Sequence, residues 1–240
     1  MAVTGQTVLV LFAHPDDAEF ICGGTVARLA QNRNEVTYLC ATDGNRGMHT
    51  TDVTPEMMAQ VRRREMEAAA EMLGVREVIF LGYEDGQLKE APNLVGDFMR
   101  AIQRIRPDTL LTFDAWRPYE LHPDHRTVGF AAAEAGYLAD SPWYYPEQVV
   151  EKLEPFKPQE IYLFAPGEPN YWVDISDTIQ LKIEAIKCHA SQVAEPGFAP
   201  SDAMERLPER IKTWAARVGH PLGLAYAEAF RKLRRSDLEI

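Results

Sequence analysis

Cysteine is scarce in this chain: Cys22, Cys40 and Cys188 are the only 3 in 240 residues, odd in number and far apart. That spacing suits neither a disulfide frame nor a zinc-thiolate site, and the three read as buried apolar fillers in a reducing compartment, the cytoplasm. Positive charge is also in deficit, with 25 Lys and Arg against 36 Asp and Glu and a net charge of -11. A nucleic-acid backbone or an anionic membrane would repel such a chain at long range, so neither is expected as a partner. Small neutral or cationic molecules remain open. No apolar run approaches membrane-spanning length, and the N-terminal residues lack a basic segment followed by an apolar stretch and a cleavage site. Secretion and membrane insertion are therefore not expected. Repeats, low-complexity tracts and an interdomain linker are missing too, which leaves one large α/β domain or a domain with an appendage.

What the chain does have is the stretch Val8 to Phe20, VLVLFAHPDDAEF, where an apolar run stops at a His, a Pro and two Asp. Runs of this kind suit a parallel strand covered on both faces, and ligands of open α/β sheets sit beyond the carboxyl ends of strands. Pro15 is comfortable at a first helical position, so a helix can begin directly after His14, with Asp16 and Asp17 in its first turn. His14 and Asp17, three residues apart, then share one side of that turn and suit a borderline cation such as zinc. Taken alone, the motif reads first as a capped helix start, His14 capping the turn and the acids set against the helix dipole. A second copy changes the weighing. His122-Pro123-Asp124-His125 follows the apolar stretch Thr109 to Phe113 and precedes the Ala-rich helical stretch Val128 to Ala139. Two such passages on one sheet edge can converge on a single metal.

Between and around these motifs the chain alternates. Glu35 to Ala41, Glu77 to Leu81 and Asp108 to Phe113 read as strands, and Thr25 to Gln31, Pro55 to Leu73 and Leu94 to Ile105 as helices. That alternation calls for a parallel sheet with right-handed crossovers and helices on both faces. The loop Thr42 to Gly47 falls at the edge that carries His14; it is either a plain glycine turn or a pocket border offering Asn45 or Arg46. Gly82 to Gly86 should reach the same edge, where Asp85 is either an Asx-turn residue or an acceptor for vicinal hydroxyls. Asp140 to Pro158, rich in Pro and aromatics, reads as a loop or cap over the site edge whose rings pin it down or stack on a ligand. Glu160 to Ala165 and Tyr171 to Ile175 look like an edge hairpin. Asp177 to His189, Ser201 to Val218 and Leu224 to Arg235 read as helices, with His189 and Gln192 fixing a helix end.

The chain resembles the LmbE-like, or PIG-L, family of zinc-dependent N-acetylglucosaminyl deacetylases. The resemblance rests on Ala13-His14-Pro15-Asp16-Asp17-Ala18-Glu19, with the acid one place later than in AHPDDE, and on His122-Pro123-Asp124-His125. Thr42-Asp43-Gly44, Arg62-x-x-Glu65, Leu81-Gly82-Tyr83-Glu84-Asp85, and Lys187 with His189-x-Ser191-Gln192 support it. It implies one Rossmann-like, three-layer α/β/α domain over residues 1–240, with a C-terminal helical extension from about residue 176. It also implies one Zn2+ per chain, or another divalent metal such as Fe2+, held by His14, Asp17 and His125 with water in the open fourth position. His122 competes with His125 for the ligand role on sequence alone. Asp16 is implied as the base, His122 as the group that steadies the oxyanion or protonates the leaving nitrogen, and Asp124 as the residue that orients the imidazoles. Arg62, by default half of a surface ion pair with Glu65, becomes a substrate-binding candidate beside Asp85, Asn45 and Arg46. The substrate is then a small N-acetyl sugar conjugate, and a homo-oligomer is expected. The displaced Glu19 implies a small change behind the metal ligands. Two rivals stand against this: a metal-dependent phosphoesterase, and a non-catalytic zinc- or sugar-binding protein of the same fold.

Overall fold

A computed structural model of the chain describes residues 4–194 and 199–238. Four strands alternate with helices as the sequence pattern requires: β1 (Thr7–Phe12), α1 (Asp17–Gln31), β2 (Glu35–Thr42), α2 (Pro55–Leu73), β3 (Glu77–Tyr83), α3 (Leu94–Ile105), β4 (Thr109–Phe113) and α4 (Pro123–Leu138). After them come α5 (Glu147–Val150), β5 (Glu160–Phe164), β6 (Tyr171–Asp174), α6 (Ile179–Cys188), α7 (Ala190–Val193), α8 (Ala203–Gly219), β7 (Ala227–Arg234) and α9 (Arg235–Leu238). The sheet order is β3-β2-β1-β4-β5-β7-β6. β1 to β5 pair in parallel, and β7 runs antiparallel to both β5 and β6. Val8 to Phe12 are wholly buried, as a central strand covered on both faces must be. Chain order reverses between β1 and β4, so crossovers of one hand place α1 and α2 on one face and α3 and α4 on the other. The crevice at that reversal is where an open α/β sheet takes its ligand.

The C-terminal region departs from the sequence reading. β5 and β6 do not form a hairpin: β7 lies between them, with Phe164 and Tyr171 both opposite Phe230. Leu224 to Arg235 is therefore mainly strand, although its Ala, Glu, Lys, Arg and Leu favour a helix. A slot between two strands with unpaired backbone groups outweighs that preference. The segment from residue 176 onward is thus not a helical appendage, because it supplies a strand to the sheet and α6 packs on α1 and α2.

Two helix starts and the course of one segment also differ. α1 begins at Asp17, leaving Pro15 and Asp16 in the turn, and it kinks at Cys22 (φ -131°). It is the second motif that uses Pro at the helix start, since α4 opens at Pro123 with His122 as its N-cap. Residues 140–158 do not cap the site. They run along α3 and back to the far edge of the sheet, through Gln148 Nε2 to Gly96 O (2.7 Å), Arg100 to Glu151 (3.0 Å) and Gln159 N to Asp108 O (2.9 Å). Tyr145 and Phe156 pin this segment to the core, while Trp143 and Tyr144 stay exposed. Cys22 and Cys40 are buried and Cys188 is half-buried, all three as free thiols. No helix among the described residues is long and apolar enough to cross a membrane.

Candidate active site

Where β1 ends, the chain turns back on itself and is closed by one of its own acids. Asp17 Oδ2 accepts from the backbone N–H of His14 (2.7 Å) and of Ala13 (3.2 Å), and the Asp17 N–H donates to His14 O (3.2 Å). This forces Asp16 to φ 118°, ψ -26°, a conformation that a residue with a Cβ adopts only when its surroundings hold it there. Arg62 is part of what holds it. Its buried guanidinium donates to Pro15 O and to Gly44 O (3.1 Å), and lies 3.3 Å from Asp16 Oδ2. Gly44 and Gly47 make room for it: a Cβ on Gly44 would stand 2.5 Å from Arg62 Nη1, and one on Gly47 would collide with the same nitrogen.

The second motif meets the first across the gap between β4 and β1. Asp124 is fully buried; its carboxylate accepts from Gly86 N (2.6 Å) and Leu88 N (3.3 Å) and lies 3.2 Å from His14 Nε2. His122 Nδ1 accepts from the Asp124 N–H (3.3 Å). His125 stacks between Phe113 (4.2 Å) and His122 (4.4 Å), with its Nε2 3.2 Å from Asp17 Oδ1 and its Nδ1 3.5 Å from Glu120 Oε1. Asp85 Oδ1 is 3.1 Å from His14 Nε2. Ring nitrogens of His14, His122 and His125 all lie within 4.8 Å of one another, as do donor atoms of His14, Asp85 and Asp124.

The electrostatics favour a cation. Burial alone would lower the pKa of His14, yet hydrogen bonds to Asp124, Asp17 and Asp85 raise it well above the usual value. Burial works against the charged form of Asp17, but His125 and His14 outweigh it and hold that carboxyl below the usual range. Asp85 and Asp124 are likewise held down, burial again being overcome, chiefly by the bond to His14. Asp16 moves the other way: burial pushes it up to about 6, with Arg62 opposing the rise. Burial and the two neighbouring histidines lower His122. Mixed imidazole and carboxylate donors are those a borderline cation takes. Asp17 meets the two rings through different oxygens, Oδ1 at 3.2 Å from His125 Nε2 and Oδ2 at 3.4 Å from His14 Nδ1, and Oδ2 also holds the backbone N–H of Ala13 and His14.

The pocket measures about 300 Å³ and is lined by His14, Asp16, Asp17, Arg46, Gly47, Arg62, Asp85, His122, His125 and Gln192. Asn45 stands just behind this lining, its Oδ1 accepting from Asp85 N (3.4 Å). Arg46 is exposed at the rim and pairs with Glu84 (2.8 Å). The expected Arg62–Glu65 surface pair does not form. Arg62 turns inward, and Glu65 accepts from Ser191 N (2.8 Å) and Oγ (2.6 Å). Sequence reasoning missed the wall contributed by α7: Gln192 Nε2 donates to Gly47 O (2.9 Å), and the His-x-Ser-Gln motif carried that signal. His189 stands at a helix end as expected, its carbonyl accepting from Gln192 N (3.0 Å), and sequence reasoning missed only that its ring also bonds Glu19 (3.2 Å). Glu120, which accepts from His122 N (3.0 Å), and the buried Lys182–Glu228 pair (2.5 Å) were not anticipated.

Residues 9–136 match the family described as PIG-L, GlcNAc-PI de-N-acetylase. Diacetylchitobiose deacetylase of Thermococcus kodakarensis is 34% identical over 226 residues, covering 94% of this chain and 82% of that protein. The probable N-acetyl-alpha-D-glucosaminyl L-malate deacetylase 2 of Bacillus cereus is 32% identical over 190 residues, with coverages of 77% and 83%. Among solved structures, N,N'-diacetylchitobiose deacetylase from Pyrococcus horikoshii, in complex with its inhibitor, superposes with a TM-score of 0.89 at 33% identity, covering 98% of this chain and 86% of that one.

Proposed function

Because the chain belongs to the PIG-L, or GlcNAc-PI de-N-acetylase, family, we propose that it is a metal-dependent N-deacetylase. It hydrolyses the acetamido group of an N-acetylglucosaminyl compound to acetate and the free amine. The observation that carries this reading is the convergence of two distant His-Pro-Asp motifs, with His125 Nε2 3.2 Å from Asp17 Oδ1 and His14 Nε2 3.2 Å from Asp124 Oδ2.

His14, Asp17 and His125 are the residues that would hold the cation. Mixed imidazole and carboxylate donors suit zinc, one per chain, and Fe2+ competes for such a set. When bound, the cation supplies Lewis acidity, which makes water a usable nucleophile at neutral pH and polarises the acyl oxygen. Asp16, with its pKa pushed up to about 6, is ionised at neutral pH yet basic enough to take a proton from the attacking water and return it to the departing nitrogen. His122 is better suited to donate than to ligate. Its Nδ1 accepts from the Asp124 N–H, so the neutral ring carries its proton on Nε2, toward the developing oxyanion. Asp124 orients His14 through the carboxylate and His122 through the backbone.

Arg62 spends its donors on the Asp16 turn, and its part in substrate recognition is to shape the wall. Asp85, Asn45 and Arg46 border the sugar side, and Gln192 adds an amide there. Free cysteines support a reducing cytoplasm, and exposed Trp116, Tyr119 and Leu121 support a homo-oligomer. A phosphoesterase using two metals is disfavoured, because both candidate donor groups among the described residues share His14 and so describe one centre. The test is metal analysis of purified protein together with acetate release from a panel of N-acetylglucosaminyl conjugates and free chitooligosaccharides, with phosphate release from phosphomonoesters as the control. Metal-loaded protein that frees no acetate from any of them overturns the reading.

A further inference from the structure

Glu19 and His189 are both fully buried, and their side chains meet at 3.2 Å. They come from opposite ends of the chain: Glu19 from the first turn of α1, two residues after Asp17, and His189 from the corner between α6 and α7. A buried carboxylate and imidazole are costly, and an apolar pair of similar volume would fill the space without that cost. The surroundings do little to compensate. Among the described residues, Glu19 Oε1, His189 Nδ1 and the hydroxyl of Tyr38 are buried without a hydrogen-bond partner. Stability is thus a weak explanation for the pair, and its place in the fold suggests another.

That place is in a closed ring of contacts around Asp16. Arg62 on α2 holds the Asp16 carboxylate and the Pro15 carbonyl. Three residues further along α2, Glu65 holds Ser191 of α7. The backbone carbonyl of His189 accepts from the N–H of Gln192 and of Val193 (3.0 Å each), fixing α7 to the corner that carries the imidazole. His189 then grips Glu19, and the next residue, Phe20, donates its N–H to Asp16 O (3.0 Å). The ring therefore closes on the residue with the left-handed backbone at φ 118°. Such a conformation persists only when its neighbours over-determine it. Arg62 constrains the turn from one side; Glu19 and His189 constrain it from the other.

We propose that Glu19 and His189 are positioning residues for Asp16, pinning the first turn of α1 against the α6–α7 corner so that the Asp16 carboxylate stays aimed into the pocket. The proposal rests on the reading of Asp16 as the base. It gives the displaced acid of the first motif a role, and it makes a segment beyond the matched residues 9–136 part of the machinery.

The test uses the full-length, metal-loaded protein with five variants: Glu19→Ala, Glu19→Gln, His189→Ala, His189→Gln and the double alanine variant. Acetate release is measured per folded molecule, alongside metal content and thermal melting. Each single alanine variant should lower kcat by about 10- to 100-fold, the scale expected of a misplaced catalytic group, with KM within threefold and metal stoichiometry unchanged. The double variant should be no slower than the worse single one, because both remove the same constraint. Glu19→Gln, which keeps an acceptor oxygen for the ring N–H, should retain at least half of the wild-type kcat. Where an alanine variant does not fold, His189→Gln with Glu19 intact replaces it, and its kcat must lie between wild type and Asp16→Asn. Variants that melt earlier but keep wild-type kcat when folded overturn the proposal, as does a loss fully explained by missing metal. Wild-type protein that releases no acetate fails earlier and sinks the deacetylase reading itself; active wild type with indifferent variants sinks only this proposal.

Discussion

His125 Nε2 stands 3.2 Å from Asp17 Oδ1, so the helix that follows β4 and the helix that follows β1 present their donors to the same point in space. Removing either should open the metal set. His125→Ala and Asp17→Asn are each expected to weaken metal binding by about 100-fold or more, beyond the 10- to 100-fold typical of groups that only support a ligand. Metal content after dialysis against a weak chelator checks this, and an unchanged stoichiometry would remove the residue concerned from the ligand set.

Asp16→Asn leaves those donors in place and should keep the metal while kcat falls by about 10²- to 10⁴-fold, the usual contribution of a general base. The base acts only when ionised. With the Asp16 pKa pushed up to about 6, kcat/KM of the wild type should be level at neutral pH and decline as pH drops through about 6. A profile that stays level to pH 4 contradicts the assignment.

Arg62→Lys keeps a positive charge but loses the fork that reaches Pro15 O, Gly44 O and Asp16 together. Charge-assisted hydrogen bonds contribute about 1.5–3 kcal/mol each, so a loss of roughly 10- to 100-fold in kcat/KM is expected. Because Arg62 opposes the rise in the Asp16 pKa, weakening that contact should also move the acid limb of the profile to higher pH.

Lys182 and Glu228 form a buried ion pair at 2.5 Å, and the same carboxylate accepts from Gly24 N (3.0 Å) and Thr25 N (2.7 Å), just past the kink at Cys22. Lys182→Met strands that carboxylate in the interior and should cost about 3–5 kcal/mol of unfolding free energy. Adding Glu228→Gln, which removes the charge but keeps an acceptor, should recover most of the loss. Urea unfolding of the two variants decides whether the pair is structural in this sense.

Deleting residues 224–240 takes out β7, the partner of both β5 and β6. The truncated protein is expected to be insoluble, or to lose the cooperative transition of the full chain in thermal melts. A helical appendage could be removed with far less damage.

Much of the fold was legible in the sequence because local pattern and tertiary demand agree there. α2 and α3 begin and end where their composition and flanking residues say, and the apolar run after Thr7 is the buried central strand it reads as. The last strand was illegible for the opposite reason: Ala227 to Arg234 carries helix-forming residues, and only the open slot between β5 and β6 makes it extended. His189 shows the same limit at the site. Its motif was visible, but the partner that gives it meaning, Glu19, lies at the other end of the chain.

The sequence by itself determined that the two His-Pro-Asp motifs stand at strand-to-helix passages, because apolar periodicity and helix-start residues are local properties. The ligand candidates His14, Asp17 and His125 and the base candidate Asp16 came from the family resemblance those motifs carry, and the residue pattern alone left His122 and His125 open. Only the tertiary structure decided that Arg62 turns inward to Asp16 and that the C-terminal third completes the sheet and the pocket wall. Those are contacts between distant segments, and their partners are chosen by packing and by the need to satisfy buried polar groups.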